Sequence, residues 1–191
     1  MKKLFLFMAL AVFALNVNAQ EEQTDNSKGI SFGVKAGMNF ANLNGDIEEN
    51  DMKLGFHFGG VAEIMFNDKF AVQPELLYSS QGTQFDFAGE TLKYNLDYIN
   101  VPVMAKYYVA EGFSVEAGPQ VGFLVSAKSK FDGDTEDIED LKSIDFGFNF
   151  GAGYKLDSGL NFSARYNLGL SNIDDVDNSD FEIKNGVIQV S

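Results

Sequence analysis

Between Ile144 and Tyr154 the chain reads IDFGFNFGAGY, with an apolar residue at every second place and glycine, aspartate or asparagine between. Alternation with period two marks a β-strand whose two faces meet different surroundings; a helix would scatter these residues around its circumference. One face is oily. The other is unusual, because the solvent face of a soluble strand is rich in lysine, glutamate and threonine, whereas here it carries Gly147, Gly151 and Gly153. Glycine is a poor strand former, so its repeated use points to a crowded side.

The same pattern returns along the chain. Ile30, Phe32, Val34, Ala36, Met38 and Phe40 alternate with Ser31, Gly33, Lys35, Gly37 and Asn39. Leu54, Phe56, Phe58, Ala62, Ile64 and Phe66 oppose His57, Gly59 and Glu63. Phe70, Val72, Leu76 and Tyr78 oppose Gln73, Glu75 and Ser79, and Ile99, Val101, Val103, Ala105 and Tyr107 oppose Asn100 and Lys106. Phe113, Val115, Ala117, Val121, Phe123 and Val125 oppose Ser114, Glu116, Gln120 and Ser126; two strands follow in 144–170, and Ile188 with Val190 marks an eighth. Leu92, Tyr94 and Leu96 stand in the opposite phase to Ile99, which predicts a bulge or bend between them. Pro74, Pro102 and Pro119 each remove a ladder donor inside a strand, so the pairing is expected to break beside them.

Connections alternate strictly. Short turns fall at 67–69, around Glu111 and Gly112, and at 157–159, while long connections are expected at 41–53, 82–91, 127–142 and 171–185. All short turns then lie at one end of a meander and all long loops at the other, the layout of an all-β, eight-stranded antiparallel up-and-down transmembrane β-barrel. Phe66, Phe70, Tyr107, Phe113 and Tyr154 fall near the short turns, where an aromatic girdle would sit.

The first segment, MKKLFLFMALAVFALNVNAQ, has two lysines, an apolar run from Leu4 to Leu15, and small residues before Gln20. That is the build of a secretory signal peptide over 1–19, and the apolar run is short of the roughly 20 residues a helical span needs. Residues 20–29 read as a polar linker and 30–191 as the barrel domain. Cleavage would move the formal charge from −14 to about −16, which argues against nucleic acid as partner. The chain has no cysteine, so disulfides, thiol chemistry and cysteine-ligated zinc are excluded.

Acidic residues gather in two loops: Asp132, Asp134, Glu136, Asp137, Glu139 and Asp140 in one, and Asp174, Asp175, Asp177, Asp180 and Glu182 in the other. The polar strand faces instead hold Lys35, Lys106, Lys155 and Arg165 with Glu63, Glu75, Glu116 and Asp145, a balanced set that suggests pairing in a narrow interior. With His57 and Asn100 these form the expected structural interior network. The stretch DGDTEDIED begins like a calcium loop but has Asp137 and Ser143 where that loop needs glycine and glutamate, so no metal or cofactor is assigned. Ser79, Ser80 and Glu75 could approach His57 across strands, but no spacing singles out a catalytic set, and no enzyme activity is expected.

The segments GVKAGMNFANL, QPELLYSSQGTQF, YINVPVMAKYY, AGPQVGFLVSA and SARYNLGLSNI resemble, in order and spacing, those of the PorT-like outer-membrane β-barrel family of Gram-negative bacteria. The resemblance covers nearly the whole chain after the leader. It implies an eight-stranded barrel in the cell outer membrane, some members being linked to protein secretion and gliding. Asn100 departs from the family, which often has an acidic residue there. The sequence ends at Ser191 without the longer last strand and terminal aromatic of other members, which leaves the closing strand pair for the structure to show.

The expected role is structural or partner-binding in the envelope. The partners are outer-membrane lipid and, through the acidic loops, envelope or secretion proteins, with the barrel a monomer. Two readings compete with it: a secreted soluble barrel that binds a lipid or other apolar ligand, and a membrane-embedded lipid-modifying enzyme. The direction of Phe148 relative to Asn149 separates the first two, since only a membrane barrel turns the phenylalanine outward.

Overall fold

The computed structural model describes residues 29–47, 50–87, 90–176 and 181–191. The expected signal peptide, and the linker except Gly29, lie outside the described residues. The alternating segments form strands: β1 (Gly29–Gly45), β2 (Asp51–Asn67), β3 (Phe70–Phe87), β4 (Glu90–Tyr108), β5 (Phe113–Phe131), β6 (Asp134–Asp137), β7 (Ile144–Lys155), β8 (Asn161–Gly169) and β9 (Ile183–Val190). No helix among the described residues is long and apolar enough to cross a membrane.

Each strand pairs antiparallel with its neighbours in sequence, β5 pairing with β7 and the short β6 folding back onto β5 outside the ring. The ring closes between β1 and β9, with Phe40 opposite Ile188 and Gly45 opposite Ile183. The eighth strand is short, but it pairs on both sides, Tyr166 of β8 also standing opposite Ile188. The result is a closed, eight-stranded antiparallel up-and-down barrel.

The faces are decided by what each surrounds. Phe148 is 41% exposed on the outside and Asn149 is 1% exposed on the inside. Phe32, Phe56, Phe58, Val103, Phe123, Phe146 and Phe150 share the outer surface, while Glu75, Lys106, Glu116 and Arg165 are buried within. Apolar outside and ionic inside is the reverse of a soluble ligand-binding barrel, and that alternative fails on this orientation. The five aromatics near the short turns all point outward, Phe66 and Phe70 with ring centroids 5.8 Å apart.

The long connections are shorter than the sequence suggests. β3 and β4 continue as one hairpin in which Phe87 pairs with Glu90, and β1 and β2 leave only 46–50 between them. Loop-like composition misled here because these stretches remain paired after they leave the apolar belt. The outer face of β4 is apolar from Tyr107 to Ile99 and then polar at Asp97, Asn95, Lys93 and Thr91; that of β3 changes between Tyr78 and Ser80, which face Ile99 and Asp97. Inside, Leu96 and Tyr98 are buried at the same level. The phase change at Leu92–Leu96 therefore marks the height at which the outer surface of this wall passes from lipid to water. The β4–β5 register shifts between Asp97 and Tyr98, so that Ser126, Lys128 and Lys130 join the outward polar set.

The prolines interrupt the ladders without shifting them. Pairing lapses between Val61–Glu75 and Ile64–Val72 beside Pro74, between Pro74–Val103 and Leu77–Asn100 beside Pro102, and between Pro102–Gln120 and Ala105–Ala117 beside Pro119. In each case the register resumes unchanged, because a missing N–H removes a bond but adds no residue.

Several inward glycines are explained by close approach of neighbouring backbone. A Cβ on Gly118 would collide with the Val103 carbonyl, and one on Gly59 with that of Leu76, while a Cβ on Gly60 would meet nothing. Gly118→Ala is expected to abolish the compact, heat-modifiable form on gels, and Gly60→Ala to leave it intact. The cysteine-free chain also permits a direct check on orientation. Spin-labelled before folding into bilayers, Phe148→Cys should be relaxed by oxygen dissolved in the acyl chains far more than by a water-soluble nickel chelate; the opposite order would contradict the assigned faces.

Candidate functional site

Eight strands enclose a space just wide enough for side chains, so the interior must be filled by what the strands bring to it. All ten residues of the expected network have inward positions on their strands. They form groups stacked along the axis, and polar residues that sequence reasoning did not assign connect them.

Toward the short turns, Glu63 of β2 accepts hydrogen bonds from Lys106 Nζ at 2.9 Å, Lys155 Nζ at 2.7 Å and the Tyr108 hydroxyl at 2.9 Å. Lys106 also donates to Gln73 Oε1 at 3.1 Å, and Gln73 Nε2 donates to Glu75 at 2.6 Å, linking this group to the next. There Arg165 of β8 grips Glu75 of β3 with two bonds of 2.9 and 2.7 Å and binds Glu116 of β5 through Nε and Nη2. Lys35 of β1 stands 3.5 Å from Glu75. A planar fork suits this task, because one guanidinium serves two carboxylates on different strands.

Higher up, His57 does not meet Ser79, Ser80 or Glu75 directly. Its Nδ1 lies 2.7 Å from Asn39 Oδ1 and its Nε2 2.8 Å from Ser191 Oγ. Asn39 Nδ2 donates to Ser79 Oγ and to the carbonyls of Phe56 and Ser80. Serine, imidazole and amide thus follow the order of nucleophile, base and orienting group. Yet His57 is 1% exposed, and every bond of the set ties one wall strand to another. The arrangement is a brace across β1, β2, β3 and the chain end.

No cation among the described residues pairs with Asp145. Its carboxylate accepts from Ser171 Oγ at 2.7 Å and Asn185 Nδ2 at 2.8 Å, and Asn185 also donates to the Tyr98 hydroxyl at 3.2 Å. Asn100 is buried, and its Nδ2 finds no hydrogen-bond partner among the described residues. Lys53, which falls in a stretch the sequence suggests is loop, is a further interior cation and donates to the Gln81 carbonyl at 2.9 Å.

Above the polar column lies an apolar plug. Leu43, Leu96, Tyr98 and Ile173 are buried together, with Ile47, Leu124, Ala127, Leu141 and Ile183 around them. Ile173 belongs to the connection after β8. It is held by backbone bonds from its N–H to the Ile183 carbonyl and to its own carbonyl from Lys142 N–H, at 2.8 and 2.9 Å. Asp175 N–H donates to the Asp140 carbonyl, so the two acidic connections are stitched together across the mouth. An isolated isoleucine in an acidic stretch carries no periodicity, which is why sequence reasoning missed the plug. Among the described residues no group of three or more His, Asp or Glu side chains is placed to hold a metal ion.

The model of the family described as "Outer membrane protein beta-barrel domain" matches residues 18–175. The chain belongs to this family. Its place is the outer membrane, as the apolar outer belt requires. The fold is shared with the attachment invasion locus protein Ail of Yersinia pestis at 17% identity and a TM-score of 0.54, over 85% of this chain and 95% of that one. Neisserial surface protein A is similar at 13% identity and a TM-score of 0.56, over 85% and 96%. Ail in complex with the heparin analogue sucrose octasulfate is similar at 16% identity and a TM-score of 0.52, over 85% and 95%. No curated protein matches the sequence.

Removing Arg165 would leave Glu75 with Lys35 at 3.5 Å as its ion-pair partner and Glu116 buried with none among the described residues. Arg165→Met is expected to destabilise the barrel by about 3–5 kcal/mol in denaturant titrations in lipid vesicles. Adding Glu116→Gln to Arg165→Met, which leaves Glu75 paired with Lys35, should recover most of that loss. A single variant as stable as the parent would show that the ion cluster is not a structural tie.

Proposed function

We propose that this outer-membrane barrel is a closed scaffold without enzymatic activity or cofactor. On this reading it acts by presenting its stitched acidic connections to a protein partner at the cell surface, as an accessory to secretion. The observation that carries the reading is the mouth. Ile173 and its neighbours fill the end of the barrel below the connections that hold Asp140, Asp174 and Asp175, so the surface is shaped and the lumen is shut. An eight-stranded bore plugged at its mouth supports a scaffold over a pore. The buried position of His57 supports a bracing role over catalysis.

The sign of the charge narrows the partner. Ail has been crystallised with a polyanionic heparin analogue, whereas this chain has a formal net charge of −14 with its acid concentrated at the mouth. A polyanion would be repelled there, and a protein surface bearing lysine and arginine would be attracted. The resemblance to PorT-like barrels points in the direction of secretion.

The test is complementation of a deletion strain, with outer-surface protein export as the readout. Intact protein should restore export, and a variant with 138–143 and 171–176 replaced by glycine-serine turns should not, although its barrel still shows heat-modifiable migration. Full restoration by the trimmed barrel would remove the loops from the function. Purified protein in planar bilayers should show no steady conductance.

A further inference from the structure

The outward polar surface above the lipid boundary carries a cluster of cations on one wall only. On β4 and β5, Lys93 stands directly opposite Lys130, in a rung that continues to Gln84 on β3 and Thr135 on β6. In the next rung toward the membrane Asn95 faces Lys128, flanked by Gly82 and Asp137. All three lysines are exposed. Like charges placed opposite each other on a sheet destabilise it unless an anion lies between them.

The nearby carboxylates do not fill that role. Asp137 lies 4.0 Å from Lys128 with both side chains largely in solvent. Asp86 accepts from the Thr91 hydroxyl at 2.7 Å, Asp97 is two rungs lower beside Tyr78, and Asp51 lies beyond Gln84. No carboxylate among the described residues comes within ion-pair distance of Lys93 or Lys130.

Position supplies the ligand. The rung Tyr78–Ile99–Phe123 is the last apolar one, with Val125, 55% exposed, just above it. Lys128 and Lys93 follow at about 10–15 Å of height, from the rise per residue and the usual barrel tilt. Long connections of such barrels face outward from the cell, so this is the headgroup level of the outer leaflet. Lysine side chains at that height reach down toward the interface. Acyl chains would lie against Tyr78, Ile99, Phe123 and Val125, and a headgroup phosphate would stand between the lysines.

We propose that the outer wall formed by Lys93, Lys128 and Lys130 binds the phosphates of a phosphorylated, multiply acylated lipid of the outer leaflet. This rests on the outer-membrane location and not on the proposed role of the loops.

The test uses the full chain in phosphatidylcholine nanodiscs doped with bis-phosphorylated or dephosphorylated lipid A, with retained lipid counted by native mass spectrometry. The parent protein should retain the phosphorylated form preferentially. Lys93→Gln, Lys128→Gln and Lys130→Gln together should remove the preference, at roughly fivefold for each lysine. Lys69→Gln, at a short turn, should keep it. Equal retention of the two lipids by the parent, or an unchanged preference in the triple variant, would overturn the proposal. Should the triple variant not fold, Lys130→Gln alone carries the same expectation at about fivefold.

Discussion

Lipid offers no hydrogen-bond partner, so a strand that crosses it must find one on each side. The rest of this structure follows from that demand. A sheet satisfies it only by closing, and here the closing pair is β1 with β9, whose run from Met38–Val190 to Gly45–Ile183 joins the ring in its mouth-side half, while 29–37 of β1 pair with β2 alone. Closure of eight strands fixes a narrow bore. The glycines follow from the bore: at Gly59 and Gly118 the neighbouring backbone occupies the place a side chain would need.

Filling that bore with polar groups carries its own requirement, since water cannot solvate what it cannot reach. Glutamate on β2, β3 and β5 meets lysine or arginine on β1, β4, β7 and β8, so each ion pair spans the lumen or joins separate wall strands. Apolar packing would fill the space as well, and such a substitution is often neutral or stabilising elsewhere. An apolar interior, however, would make the two strand faces alike. With one face ionic and the other hydrocarbon, a slip of one residue would expose Arg165 to lipid and bury Phe148, so the network enforces register.

Most of this was legible because alternation reports a difference between two faces at every second residue. Strand number, order and phase could be read from it, and so could inward positions such as Lys35, Glu63 and Arg165. What alternation does not report is which inward groups meet. His57 finds Asn39 and Ser191 through register across three strands, a relation that no local spacing encodes. It also fails where the surroundings stop differing. Gln81 and Thr83 lie beyond the lipid boundary of β3, where the strand still pairs but its outer face has turned polar, so the segment resembles a loop; Lys53 lies instead between the exposed apolar Met52 and Leu54. Ile173 was out of reach for another reason: its burial depends on a connection folding back over the mouth.

That boundary explains the distribution of charge. Below it, the alternation reads apolar outside and ionic inside; above it, on β3, β4 and β5, the sense is reversed, with Leu96, Tyr98 and Leu124 inward and lysine outward. The tall wall therefore places its cations beside the membrane surface. The acidic residues of 132–140 and 174–175 sit at the mouth or on the hairpin beyond it. A chain with excess negative charge thus gathers its loop carboxylates at the mouth, leaves Asp97 on the wall beside Tyr78, and sets Lys93, Lys128 and Lys130 just above the apolar belt. Uniform acidity at the headgroup level would push the barrel out of register with its own apolar belt, whereas this separation lets belt and headgroup contacts favour the same depth.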